Sequence, residues 1–367
     1  MDTLMDKQLF HFEPPYGWIN DPNGLCFFNG KYHVFYQHNP YSLKWDKMHW
    51  GHAVSDDLIH FEYRPIALAP DMPYENSGGC FSGSAVVKDG KLFLFYTSVS
   101  KELGFTQSIA FSEDGETFYK YADNPIIDAH FAGSSESRRE FRDPKVNYFD
   151  GKYYMVTSDS DGKGTGMICL RESDDLIHWG NMRYILSDKE FGPVIECPDF
   201  YKEGDKYILT FSLSVGKPYR VITLIGNFDG SSFTAEKRFD TESGPDYYAP
   251  QSFEYGKRRI SFGWITPSAD TELRSNKTTG ALTVAREVTY KEGILRHYPI
   301  DGYKNLLMKS DPHVIVEENT IKLFDGKKII SERHYPKIES VDILRDLNII
   351  EVFINKGEYT STFWYSE

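Results

Sequence analysis

Short apolar runs, broken at regular intervals by glycine turns, fill most of this chain. A turn with glycine followed by a β-rich run recurs five times. Asn29-Gly30-Lys31 precedes residues 32–36, and Asp89-Gly90-Lys91 precedes residues 92–96. Asp150-Gly151-Lys152, Glu203-Gly204-Asp205 and Tyr255-Gly256-Lys257 open the other three copies. Asn-Gly and Asp-Gly between apolar runs signal tight hairpins. The five glycines are spaced by 60, 61, 53 and 52 residues. A second element repeats, SDDLIHF at 55–61 and SDDLIHW at 173–179, with a looser copy at 112–118. Units of this length, each with several short strands, predict an all-β fold with a five-bladed β-propeller over residues 1–299. Almost no stretch has helical periodicity.

After Pro299 the pattern changes. Segments 313–317, 320–324, 327–332, 338–344, 348–354 and 358–365 read as short strands, and residues 349–354 alternate as a half-buried strand would. Residues 300–367 are expected to form a small, shortened β-sandwich-like module. At this size it depends on packing against the propeller.

The strand before each hairpin should be the inner strand of its blade. Counting back eight or nine residues from each glycine gives Asp21, Ser82, Asp143, Glu196 and Tyr248. Equivalent positions on inner strands converge at one end of a propeller's axis, so three carboxylates meet. Prolines follow at 22, 144, 198 and 250, and a residue before proline is pushed towards extended conformation. Converged carboxylates repel, which separates their pKa values. A carboxylate beside a carboxylic acid is what glycosidic cleavage needs. The other use of three carboxylates is a Ca²⁺ site, for which no EF-hand spacing is present. His33 and His38 are expected on opposite faces of a strand, and His49 and His52 in a loop; structural histidines fit better than zinc ligands. No metal or cofactor is expected.

Composition narrows the reading further. The chain has 367 residues and 16% aromatics; strand propensity accounts for part of that share, and a sugar-binding surface is the other use. The formal net charge of −13 disfavours nucleic acid and anionic membrane as partners. Residues 1–12 carry no secretory pattern, and no apolar run approaches a membrane span. Cys26, Cys80, Cys169 and Cys197 are scattered, which fits reduced thiols and a cytoplasmic location. No phosphate-cradling P-loop and no GxSxG elbow occurs.

The motifs around the aligned positions resemble those of glycoside hydrolase family 32, the invertase and levanase family. Trp18-Ile19-Asn20-Asp21-Pro22-Asn23-Gly24 is similar to its signature, Phe141-Arg142-Asp143-Pro144 to its RDP motif, and Glu196-Cys197-Pro198-Asp199 to its EC motif. Phe81-Ser82-Gly83-Ser84-Ala85 resembles a further block. The resemblance implies a retaining β-fructofuranosidase: Asp21 as nucleophile, Glu196 as general acid/base, and Asp143 as transition-state stabiliser. It places Asn20, Gln37, Trp45, Phe81, Ser82 and Arg142 around fructose, with Tyr248 and Trp264 as further walls. Arg142 and Asp143 are strand neighbours, so a bulge is needed to turn both inward. Cys197 reads either as a buried structural thiol or as a group adjusting the acid's pKa.

This sequence departs from the family pattern at Asp46, where glycine is usual. Pointing into the pocket, that carboxylate would disfavour a phosphorylated sugar. Lys44, Lys47, Arg138 and Arg139 are the candidate phosphate partners at the rim, with ordinary surface solvation as the alternative. Sucrose, sucrose 6-phosphate and short fructans remain open as substrates. So do a fructosyltransferase and a non-catalytic sugar-binding propeller, and the oligomeric state is not specified.

Overall fold

The computed structural model describes residues 8–128, 140–214, 216, 218–267 and 277–365. Over these residues the chain is nearly all β, and its only helical elements are three short 3-10 turns. Five sheets of four or five strands, antiparallel apart from one short parallel pairing, follow one another along residues 17–299. We number them I to V. Their leading strands are Gly17–Phe28, Gly79–Lys88, Arg142–Phe149, Ile195–Glu203 and Tyr247–Tyr255. Each leading strand enters a hairpin at one of the glycine turns. Gly30, Gly90, Gly151, Gly204 and Gly256 all take positive φ, where a side chain would be strained.

Leading strands pack in a closed cycle: I on II, II on III, III on IV, IV on V, and V back on I. Apolar clusters fill the spaces between consecutive sheets. Trp50, Leu94 and Tyr96 lie between I and II; Phe95, Phe141 and Met155 between II and III. Leu170, Phe200 and Phe211 lie between III and IV, and Ile208, Ile225 and Val288 between IV and V. Full burial of each such side chain is worth about 1.5–3 kcal/mol, so the cores hold neighbouring sheets together. The cycle is fastened between its ends. Gly17 and Trp18 pair in parallel with Thr278 and Thr279, and Phe12 bridges to Leu282.

Residues 314–364 form two three-stranded sheets, with strands within three residues of the expected segments. One reading fails. Ile349–Ile354 is buried on both faces rather than half-buried. Ile350, Val352 and Ile354 pack between the two small sheets, whereas Phe353 joins the core beside sheets I and V. The strand alternates two buried surfaces, so alternation did not mean exposure. His49 and His52 also depart from expectation. They lie in the strand His49–Ser55, which pairs along its whole length with Lys31–Asn39. His52 Nε2 meets His33 Nδ1 at 3.0 Å in a buried stack with Phe35.

Candidate active site

Each leading strand carries an irregularity in its pairing at the aligned position. Register shifts fall between Ile19 and Pro22, Cys80 and Gly83, Glu196 and Asp199, and Tyr248 and Gln251, and opposite Arg142–Lys145. A bulge re-aims side chains and leaves a backbone N–H unpaired, which suits the prolines. Three residues before those prolines are not extended as expected. Asp143, Cys197 and Ala249 take φ of 61°, 50° and 47°. In sheets III, IV and V the bulge is made with a left-handed residue, and extension gives way to it there. By this device Arg142 and Asp143, neighbours in sequence, reach the same cavity.

That cavity measures about 440 Å³. Asp21, Asp143, Glu196, Arg142, Ser82 and Tyr248 line it, as do Asn20, Gln37, Phe81, Trp45 and Trp264. Thus the structure brings all the expected residues to one place. It adds Phe105, Glu140, Ser214 and Tyr219. Glu140 lies two residues before Arg142, in the turn that leads into its strand. Phe105 comes from the third strand of sheet II, where nothing in the repeat marks it.

Asp21 Oδ2 accepts from Ser82 Oγ at 2.5 Å and from Cys197 Sγ at 3.3 Å. Burial raises its pKa and Glu196 adds to the rise, while these donors oppose it. Asp143 Oδ2 accepts from the Cys197 N–H at 2.8 Å. Burial lifts its pKa to about 7; Arg142 works against this, and Glu196 and Asp21 support it. Cys197 therefore contacts Asp21 and Asp143 and is more than a packed thiol.

Glu196 is held at both oxygens. Arg142 donates to Oε1 at 2.7 Å and the Tyr248 hydroxyl to Oε2 at 2.5 Å. Arg142 also donates to Glu140 Oε2 at 2.7 Å and stands 3.8 Å from Asp143. Its charge is shared by three carboxylates. Aromatic rings wall the mouth: Phe81 meets Trp45 and Phe105 edge-on, and Tyr248 lies between Tyr219 and Trp264. Trp45 is 52% exposed at the rim. Asn20 Oδ1 accepts from Trp18 Nε1 at 2.7 Å, and Gln37 donates to the Cys80 carbonyl at 3.0 Å.

Asp46 does not point into the cavity. It is exposed, and its carboxylate accepts from the Lys47 N–H. Lys44 and Lys47 are exposed outside the lining, and Arg138 and Arg139 lie outside the described residues. Among the described residues no cluster of His, Cys, Asp or Glu could hold a metal ion, and no helix is long and apolar enough to cross a membrane.

An aromatic-walled cavity with paired carboxylates, set at the head of cyclically packed sheets, has the makings of a carbohydrate-cleaving enzyme. Comparison with known proteins identifies the family. The glycosyl hydrolases family 32 N-terminal domain matches residues 11–299, and the chain belongs to that family. It is 37% identical over 83% of its length to a raffinose invertase of Escherichia coli, covering 67% of that protein. It is also 37% identical over 81% of its length to an Escherichia coli sucrose-6-phosphate hydrolase, covering 65% of it. The chain thus spans about two-thirds of the length of these relatives. Among solved structures, it resembles a Bombyx mori β-fructofuranosidase mutant in complex with sucrose. That match has a TM-score of 0.84 and 26% identity, and covers 98% of this chain and 89% of the other.

Proposed function

We propose that the chain is a retaining β-fructofuranosidase that removes terminal fructose from a sucrose-like substrate by double displacement. The observation that carries this reading is the meeting of Asp21, Asp143 and Glu196 in one aromatic-walled cavity of a family 32 chain. The Asp21 carboxylate attacks the anomeric carbon of fructose as the bond to the leaving oxygen breaks. Glu196 delivers its proton to that oxygen, and the transition state is oxocarbenium-like. Glu196 then takes a proton from water, the water oxygen bonds to the anomeric carbon, and Asp21 is released. Asp143 lies where positive charge develops. Arg142 and Tyr248 orient Glu196, and Ser82 and Cys197 favour the ionised form of Asp21.

We read the five sheets as the blades of a propeller, supported by the closed cycle of leading strands. We read residues 300–367, described as far as residue 365, as its β-sandwich-like module. The four cysteines are free and buried, which agrees with a cytoplasmic enzyme acting on an imported small sugar. Transfer to a sugar acceptor in place of water would use the same intermediate.

Purified protein should release fructose and glucose from sucrose. Asp21→Asn should lower kcat/KM by about four orders of magnitude while leaving the thermal transition in place. A folded wild-type protein inert towards sucrose, sucrose 6-phosphate and a short inulin would instead favour the sugar-binding reading. Wild-type activity in the variant would remove Asp21 from the mechanism.

A further inference from the structure

The cycle of leading strands has a second mouth. Its cavity, about 560 Å³, is lined by the far ends of the same five strands, next to the hairpin turns. From Asp21 to Phe27 is six residues, about 20 Å of strand. Between the two cavities the axis narrows at Asn23, Gly83, Pro144 and Gln251, where no space is left for a water. The second cavity is therefore separate from the active site.

Its walls are divided by chemistry. Sheets I and II supply an apolar side with Leu25, Phe27, Ala85 and Val87. Sheets III to V supply the polar lining groups, Lys145, Asn147, Ser252 and Arg259 among them, interleaved with aromatic rings. Behind this lining the buried Asp199 carboxylate accepts from Asn147 and from the Ser252 N–H and hydroxyl. Lys145 is buried beside it, 3.5 Å from Asp199. Arg259, also buried, donates to Ser252 Oγ and to Glu254. Its Nε meets no hydrogen-bond acceptor among the described residues, with Glu203 standing off at 3.8 Å. Aromatic rings form the rim: Tyr255 stacks on Phe27 at 3.9 Å and is 41% exposed, and Tyr148 is 60% exposed.

Each cation here has its own carboxylate: Lys145 with Asp199, Lys202 with Asp150, and Arg259 with Glu254. A phosphate or other anion would find no uncompensated charge. A sugar suits such a site, with hydroxyls meeting the polar side and C–H faces meeting the apolar side and rings. We propose that this second mouth is a non-catalytic binding site for a neutral sugar unit. The proposal is independent of which residues carry the chemistry at the other mouth.

Equilibrium dialysis with labelled sucrose tests it, using Asp21→Asn protein to suppress turnover and the same protein carrying Tyr148→Ala and Tyr255→Ala. Both tyrosines are exposed, so their removal should not unfold the chain. Two sucrose molecules per chain are expected before the tyrosine changes. The second should weaken about tenfold after them. In an otherwise wild-type background the two tyrosine changes should leave kcat/KM for sucrose within about twofold, well under 1 kcal/mol. A single sucrose per chain in both proteins would overturn the proposal, as would a second sucrose indifferent to the tyrosines. Displacement of that sucrose by inorganic phosphate would overturn the assignment to a neutral ligand.

Discussion

Two buried charge clusters in this molecule use the same residue types to opposite ends. In the active site four carboxylates, Asp21, Glu140, Asp143 and Glu196, line one cavity with a single guanidinium, Arg142, which reaches all of them but Asp21. Burial raises the pKa of Asp21, Glu140 and Asp143. The second cluster joins the N-terminal segment and sheet V to the small C-terminal sheets. His11 lies 3.1 Å from Asp346 and 2.8 Å from Glu351, and Arg286 donates to Glu351 and Glu242. Burial opposes ionisation here too. Yet His11 brings Asp346 below its ordinary value, and Arg286 with His11 does the same for Glu351. The difference lies in pairing and not in burial. With two cations for three carboxylates the second cluster is closer to balance, although burial still raises Glu242, and it fastens parts of the chain together. On the proposed mechanism the larger excess of negative charge in the active site is offset as positive charge develops in the cavity.

Several substitutions separate the two behaviours. After Asp21→Asn, the largest effect on activity is expected from Glu196→Gln, with kcat/KM down about a thousandfold on sucrose and much less on a fructoside with a good leaving group. Comparison of the two substrates checks this, and equal losses would count against an acid role. The fold should be unchanged, because Glu196 serves no fastening function.

His11→Ala should do the reverse. Asp346 would be left buried without a cation and Glu351 with Arg286 alone, costing about 3–5 kcal/mol of stability by urea titration. At low temperature the remaining folded protein should keep its kcat. The pH dependence has a defined sign. Burial pushes the His11 pKa down, but Asp346 and Glu351 more than reverse this and raise it from 6.5 to about 9. Its stabilisation is therefore complete below pH 6.5 and fades as pH rises through 9. A pH series of urea midpoints should show that decline in wild type and not in His11→Ala; parallel curves would break the comparison.

Ser82→Ala should have the smallest effect. Loss of a donor to ionised Asp21 raises its pKa, so the acidic limb of kcat/KM should move to higher pH. Movement in the other direction would show that Ser82 does not act on the ionised form.

Much of this arrangement was legible in the chain. Glycine turns repeat because each hairpin needs positive φ, and Asp21, Asp143 and Glu196 stand eight or nine residues before them because each occupies the equivalent place on its leading strand. The bulges were not legible at Cys197 and Ala249, since two residues opposing one is a property of the pairing. The direction of Asp46 was left open by the sequence because it depends on a local turn to Lys47. The His11 cluster was invisible because its partners lie 335 and 340 residues away. Sequence periodicity reports local repeats; which distant charges meet is settled by packing.

The central claim, that Asp21 is the nucleophile, is tested most directly by trapping. Glu196→Ala protein, turning over a fructoside with a good leaving group, should accumulate the covalent intermediate, because water is no longer activated. After an acid quench, peptide mass mapping should find one fructosyl group on the peptide containing Asp21. Fructosyl on another peptide, or product formation with the inverted configuration, would contradict the account.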